Sequence, residues 1–262
     1  MRFRVGTMGF SYDDWRGVFY PPELKPSDRL AFYAKHYDSI ELDTTFHAVP
    51  PPERFERWAE QVPDHFRFAV KTPRAITHEM NLADAPPAML DFVRVASRLG
   101  KKLGVVLIQF PPALPSRVWP QVRRLLDRLP TGPGYAIEFR NDTWFDPRVF
   151  DAIARDLRKR NIALVGAEYD VEPREPVATA DFSYLRLIGL HGRYQVLDHE
   201  RWDATEHLRW WLDRVTALHD LRVTWALFSD DYAGFSPGTA DRFKALVGQA
   251  VEPMHVRQGR LF

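Results

Sequence analysis

The sequence predicts an α/β fold, specifically a (β/α)8 barrel of the TIM type with parallel strands, and three observations predict it. Eight short β-type runs recur along the chain, each closing at its carboxyl side in polar or glycine-rich residues. Helical patterns fall between them, and that alternation favours parallel strands joined by right-handed crossovers. The length of 262 residues suits eight such units, and in these barrels the active site lies at the carboxyl ends of the strands.

The strand runs, in order, are Val5-Gly6-Thr7, Ile40-Glu41-Leu42-Asp43, Phe68-Ala69-Val70-Lys71 and Leu107-Ile108-Gln109. They continue with Ile137-Glu138-Phe139-Arg140, Val165-Gly166-Ala167-Glu168, Leu185 to Gly189 and Ala226 to Asp230. Between them, Leu30, Tyr33, Ala34 and Tyr37 share a helical face behind Ser27-Asp28, which can cap the helix start. Glu53–Val62 follows a triple proline and carries Phe55, Trp58 and Ala59. Phe92, Val93, Ala96 and Leu99 form a stripe that Gly100 should stop. Val118, Val122, Leu125 and Leu129 make the next. Val149, Phe150, Ile153 and Leu157 follow Asp146-Pro147, a cap-then-proline start. Leu208, Trp211, Leu212, Val215 and Leu218 mark the clearest helix, and Phe243, Leu246 and Val247 the last.

The sixth unit is irregular, because Tyr169–Ala180 holds Glu172-Pro173 and Glu175-Pro176 and reads as loop. An open doubly wound sheet is the rival architecture, but Gly6-Thr7-Met8-Gly9-Phe10 lacks the third glycine of a dinucleotide turn. Without a low-complexity linker, residues 1–262 read as one domain.

A formal net charge of +1 gives no global basic footprint for nucleic acid. The absence of cysteine removes disulfides, thiolate nucleophiles and Cys-ligated metal centres. Met1-Arg2-Phe3-Arg4 runs straight into a strand, and the longest apolar stretch, around Leu103–Phe110, is too short to cross a bilayer. A cytoplasmic protein without membrane partners is expected.

Side chains two apart on a strand share a face. That groups Glu41 with Asp43 and Thr45, Glu138 with Arg140, Tyr184 with Arg186 and Ile188, and Ala226 with Phe228 and Asp230. Thr7, Ala69 and Lys71 fit the same scheme. Carboxylates in unlike environments can supply an acid and a base, and Glu41 and Glu138 are the natural pair. Arg140 and Arg186 can grip a phosphate or carboxylate. Lys71 can neutralise developing charge or, if desolvated, act as a base or Schiff-base amine. A structural ion network filling the barrel is the plainer alternative.

The long first loop, Gly9 to Tyr20, is aromatic, with Tyr12 and Trp15 as contact candidates and Phe10 and Phe19 as packing residues. His191, between Leu190 and Gly192, suits proton transfer or anion contact, and His78 follows the third strand. His65, His199, His207 and His219 read as ordinary helix or loop positions. Glu41, Asp43, His47, Glu138, Glu168, His191 and Asp230-Asp231 offer metal donors, but no His-x-x-x-His spacing occurs and nearby Arg and Lys would compete with a cation. No cofactor is expected.

Several of these runs together resemble the YecE-like family, known as domain of unknown function 72. The carrying residues are Gly6-Thr7-Met8-Gly9-Phe10-Ser11-Tyr12 with Trp15, Gly17 and Phe19-Tyr20-Pro21, then Glu41-Leu42-Asp43-Thr44-Thr45-Phe46. Phe68-Ala69-Val70-Lys71 with Thr77-His78, Leu107 to Pro112, Glu138-Phe139-Arg140 with Trp144, Arg186 and His191-Gly192 complete the set. The resemblance spans nearly the whole chain and implies a TIM-type barrel without an assigned reaction. Two departures stand out. The family's Asn-Ser-Thr-Phe-Tyr is Asp43-Thr44-Thr45-Phe46-His47 here, and its Phe-Asn-Asn is replaced around Phe228-Ser229-Asp230-Asp231. Carboxylates in place of amides change the local charge and remove hydrogen-bond donors.

The expected function is a hydrolase or lyase acting by acid–base chemistry on a small anionic or sugar-containing substrate. Glu41, Lys71, Glu138 and His191 would be catalytic; Thr7, Tyr12, Trp15, Gln109, Arg140, Arg186 and Asp230 would bind substrate. A nucleic-acid-binding or processing protein using the aromatic loop and Arg-rich rim is one alternative. A barrel that binds a metabolite without turnover is another.

Overall fold

Parallel strands covered on both faces need nearly unbroken apolar sequence, because neither face meets water. The computed structural model, which describes residues 1–169 and 173–254, contains such strands in two sheets. β1 (Arg2–Thr7), β9 (Val223–Phe228), β8 (Phe182–Leu187) and β7 (Gly166–Glu168) lie side by side in that order. β2 (Ser39–Leu42), β3 (Arg67–Lys71), β4 (Leu103–Gln109), β5 (Gly134–Glu138) and β6 (Ile162–Leu164) form the other sheet. Every strand pairing within these sheets is parallel.

This is an α/β fold with parallel strands, but the described strands number nine in two sheets rather than eight in one. The extra strand arises in the irregular sixth unit. Val165 separates β6 from β7, and its N–H donates to Ile137 O at 2.9 Å while the next residues pair with β8. The following segment folds back antiparallel, bridging Leu164 to Val177 and Ala167 to Arg174. Thr179 Oγ1 accepts the Leu164 N–H at 2.7 Å. That cover ends the regular ladder on both short strands. Residues 170–172 of the expected loop lie outside the described residues. The two sheets also meet at a parallel bridge between Met8 and Glu41, where Gly9 N–H donates to Glu41 O at 2.8 Å.

Alternation along the strands divides the apolar core in two. Val105, Leu107, Ala136, Ala163, Ala167, Tyr184, Trp225 and Leu227 join an inner cluster drawn from both sheets. Val106, Ile108, Ile137, Leu185, Ala226 and Phe228 instead face a larger cluster shared with the helices.

The helices follow the sequence stripes. α1 (Arg29–His36) starts without a side-chain cap, since Ser27 Oγ bonds Asp28 instead and Pro26–Asp28 forms a 3-10 turn. α2 (Thr44–His47) is one turn that periodicity does not announce. α3 (Pro52–Glu60) and α4 (Ala85–Ala96) come next, and beyond α4 Gly100 takes the left-handed φ of 58° expected of a stop. α5 (Trp119–Leu126) precedes α6 (Pro147–Lys159), whose Asp146 caps the Arg148 N–H at 2.9 Å. α7 (Thr205–Thr216), the single-turn α8 (Asp230–Ala233) and α9 (Ser236–Leu246) finish the series. Among the described residues no helix is long and apolar enough to cross a membrane.

β9 presents to the interior the opposite face from the one the sequence predicts. Ala226 and Phe228 point to the helix layer, while Trp225 and Leu227 point inward. Asp230 does not extend the strand; it begins α8, behind Ser229, whose side chain caps the Asp231 N–H. Thr7 likewise faces outward, donating to Gly9 O at 2.6 Å and contacting the Tyr33 hydroxyl, and Met8 takes the inward place.

Candidate functional site

The carboxyl ends of both sheets bring ionisable side chains into one buried group. Arg186 on β8 reaches across to the other sheet and holds Glu41 of β2 bidentately, with Nε to Oε2 at 3.0 Å and Nη2 to Oε1 at 2.7 Å. Its Nη1 donates to Glu138 Oε2 of β5 at 2.5 Å. Tyr184, two residues back on the same face, donates its hydroxyl to Glu41 Oε2 at 2.8 Å. Arg140 Nε donates to Glu138 Oε1 at 2.8 Å, and the Tyr169 hydroxyl bonds the same oxygen. The Arg140 guanidinium lies 4.6 Å from the centre of the Tyr169 ring. Glu41, Glu138 and Arg186 are buried. Pairing of this kind is what makes burial of charge tolerable.

The electrostatics separate the members. Burial pushes the Glu138 carboxyl up, but Arg186 and Arg140 overcome it and hold the group well below the usual carboxylate range. Burial would lower Arg186, and Glu138 and Glu41 instead hold it firmly charged. Lys71, at the end of β3, differs from both. No carboxylate stands within ion-pairing distance of its Nζ among the described residues, which rests 3.9 Å from the centre of the Phe46 ring. Burial, then repulsion from Arg186, brings its amine down to about 8, against the opposing pull of Glu138 and Glu41. Asp43, beside it, is raised by burial and by Glu41. His78 is lowered by partial burial and by Lys71, and its Nε2 stands 3.3 Å from Gln109 Nε2.

Glu41, Lys71, Glu138, Arg140 and Arg186 therefore converge as the period-two pattern predicts, and Gln109 joins them through His78. Other predicted positions lie elsewhere. Trp15 is wholly enclosed among Tyr12, Phe19, Tyr20 and Phe235, and its Nε1 donates to Asp230 Oδ1 at 3.2 Å. Asp230 Oδ1 also accepts from the Ser236 N–H at 2.7 Å, so both residues serve the first loop's seat on the helix layer. Thr7 is occupied by Tyr33 and Gly9. Tyr12 gives its hydroxyl to Met8 O at 2.7 Å but leaves its ring on a groove that also meets Asp43. His191 is fully exposed, with Nδ1 3.1 Å from Asp231 Oδ2, and makes no bond to the buried ion group among the described residues.

Tyr169, Tyr184 and Phe46 belong to the group although the sequence did not single them out as site residues. Tyr184 was on the correct face. Tyr169 continues the alternation of Val165 and Ala167, a signal hidden by the irregular sixth unit. Among the described residues no three His, Asp or Glu side chains stand together as a metal site.

Comparison with known proteins gives the following similarities. Residues 4–260 match the family described as protein of unknown function DUF72. UPF0759 protein YecE of Escherichia coli (strain K12) is 34% identical over 116 residues, 44% of this chain and 43% of that protein. UPF0759 protein YunF of Bacillus subtilis (strain 168) is 30% identical over 160 residues, 56% of this chain and 54% of that protein. The chain thus spans about half the length of the curated relatives it matches. The crystal structure of a DUF72 family protein (TM1631) from Thermotoga maritima MSB8 superposes with a TM-score of 0.78 at 25% identity, covering 95% of this chain and 100% of that one. A DUF72 family protein (EF0366) from Enterococcus faecalis V583 has the same fold, with a TM-score of 0.74 at 19% identity, covering 98% of this chain and 100% of that one.

Proposed function

From a chain that belongs to the DUF72 family, whose description assigns no reaction, we propose a hydrolase or lyase that acts on a small anionic substrate by proton transfer at Lys71. One observation carries this: Arg186 saturates Glu41 and Glu138, while the Lys71 amine has no carboxylate partner among the described residues and is brought down to about 8. An amine in that range exchanges protons near neutral pH, as a general acid or base must. Lys71, Arg140 and Arg186 meet Glu41, Glu138 and Asp43 there, so the attraction for an anion is local to the cations at the exposed edge rather than a net excess of charge. Arg140 is the partly exposed cation and supplies the anion contact. Glu138 is an ionised support in this scheme, and Glu41, held by Arg186 and Tyr184, is a second support rather than half of an acid–base pair. The fold is taken as a closed eight-stranded barrel with β6 and β7 as one interrupted strand. The Met8–Glu41 bridge and the single residue between β6 and β7 support closure.

Thermal-shift screening of small carboxylates and sugar phosphates tests the assignment, because a ligand of the native state raises its apparent stability. A compound that stabilises the wild type should be consumed by it and should survive incubation with K71M. Consumption by K71M at the wild-type rate overturns the role of Lys71. Stabilisation that K71M loses, with no consumption by the wild type, replaces the enzyme with a binding barrel.

The groove of about 1050 Å3 lined by Phe10, Tyr12, Trp58, Arg54 and Arg57 favours a second function, single-stranded nucleic-acid binding. Phosphate contacts make such affinity fall steeply with salt. Failure to bind any single strand at low salt removes it.

A further inference from the structure

A second cavity, of about 590 Å3, opens beside the carboxyl end of β7, where Glu168, Tyr169, Arg193, Tyr194, Trp202 and His207 line it and Tyr169 is shared with the buried ion group. Glu168 is held between strand and helices. Trp211 Nε1 donates to its Oε2 at 2.5 Å, and the Tyr232 hydroxyl lies 3.5 Å from the same oxygen. Its other oxygen, Oε1, stands 3.1 Å from His207 Nδ1, which the Tyr232 hydroxyl also approaches at 3.1 Å. A fixed carboxylate on Nδ1 sets the tautomer and orientation of an imidazole, leaving Nε2 as the ring's working atom. His207 Nε2 has no partner among the described residues, and the side chain is 49% exposed although its carboxylate is 10% exposed. A dyad serving packing alone would enclose the ring; this one presents it to a cavity.

The cations around that ring are suited to an oxyanion. Arg193 is exposed, lies over the Tyr194 ring at 5.4 Å and makes no ion pair among the described residues. Arg201 is already committed to Asp198 and to the Val196 carbonyl. His207 stands in the first turn of α7, the positive end of the helix dipole. Tyr194 and Trp202 offer ring surface, and the volume lies in the range of small-molecule sites.

We infer that this cavity is a second ligand site for a small organic phosphate. Arg193 holds the phosphate oxyanion, the His207 Nε2 lone pair accepts from the phosphate hydroxyl, and the rings of Tyr194 and Trp202 meet its body. Tyr169 lines this cavity and also meets Glu138, but the residues that hold the phosphate are distinct from Lys71 and Arg140, so binding here is tested apart from the proposed reaction.

Orthophosphate and phenyl phosphate serve as probes, followed through the His207 imidazole resonances in nitrogen-15 NMR spectra. Both should shift His207, and phenyl phosphate should bind at least tenfold tighter because it also meets the rings. R193A and H207Q, changes at exposed positions that leave the core intact, should each weaken phenyl phosphate at least tenfold. K71M should bind it as the wild type does. Unmoved His207 resonances at millimolar concentrations of both probes overturn the inference, as does wild-type affinity in R193A and H207Q.

Discussion

Asp230 shows how one carboxylate can work against the fold that contains it. Its Oδ1 accepts from Trp15 and Ser236, but its Oδ2 is buried without a partner, and burial raises the group to about 6. Between pH 4 and 6 the folded chain therefore holds a proton that the unfolded chain has released, so stability falls as pH rises through that window. Ionised Asp230 then costs on the order of 3 kcal/mol at pH 7. D230N keeps the acceptor oxygen and should raise stability at pH 7 by about 1–2 kcal/mol, with a flatter pH profile between 4 and 6. Urea unfolding across pH measures this, and a less stable D230N at pH 7 contradicts it. Glu138 has the opposite sign. Arg186 and Arg140 hold it ionised against its burial, so the stability it contributes is present above the ordinary carboxylate range and lost only as pH falls well below it. E138Q leaves two guanidinium groups short of a counter-charge and should cost about 3–5 kcal/mol. A loss under about 1 kcal/mol in the same experiment would show the group is not coupled as described. At this scale the sequence revealed which residues meet, since Glu41, Lys71, Glu138 and Arg186 alternate correctly with apolar neighbours. It could not reveal that Arg186 occupies both carboxylates, because that depends on the reach of one side chain between two sheets.

Among the elements, β1 and β2 approach closely at Gly6. A Cβ on Gly6 would stand 2.0 Å from Ser39 O and 3.0 Å from the Tyr33 hydroxyl. G6A must therefore push β1 away from β2, the pair joined by the Met8–Glu41 bridge. The expected loss is about 1–3 kcal/mol or more, read as a lower urea midpoint. An unchanged midpoint would mean the strands are farther apart than described. The longer elements were legible because each carries a physical signature: a stripe closed by Gly100 for α4, a cap and proline at Asp146-Pro147 for α6. The single turns α2 and α8 were not, since four residues give no periodicity. Reading α8's first residue as the end of β9 also inverted that strand's faces, as a one-residue change of phase must.

Across the whole molecule, the two sheets share an inner apolar cluster and meet at their carboxyl ends through Arg186. That guanidinium from one sheet fastens two carboxylates of the other, and Lys71 is left as the cation of this group that makes no ion pair among the described residues. The chemistry proposed for this chain depends on that asymmetry. Nitrogen-15 NMR titration of the lysine side-chain amines measures it most directly. A resonance titrating near pH 8 should be present in the wild type and missing from K71M, set apart from the ordinary lysines near about 10.4. If every lysine titrates near that ordinary value, or the resonance near pH 8 persists in K71M, the amine is not held as described and the proposed chemistry fails.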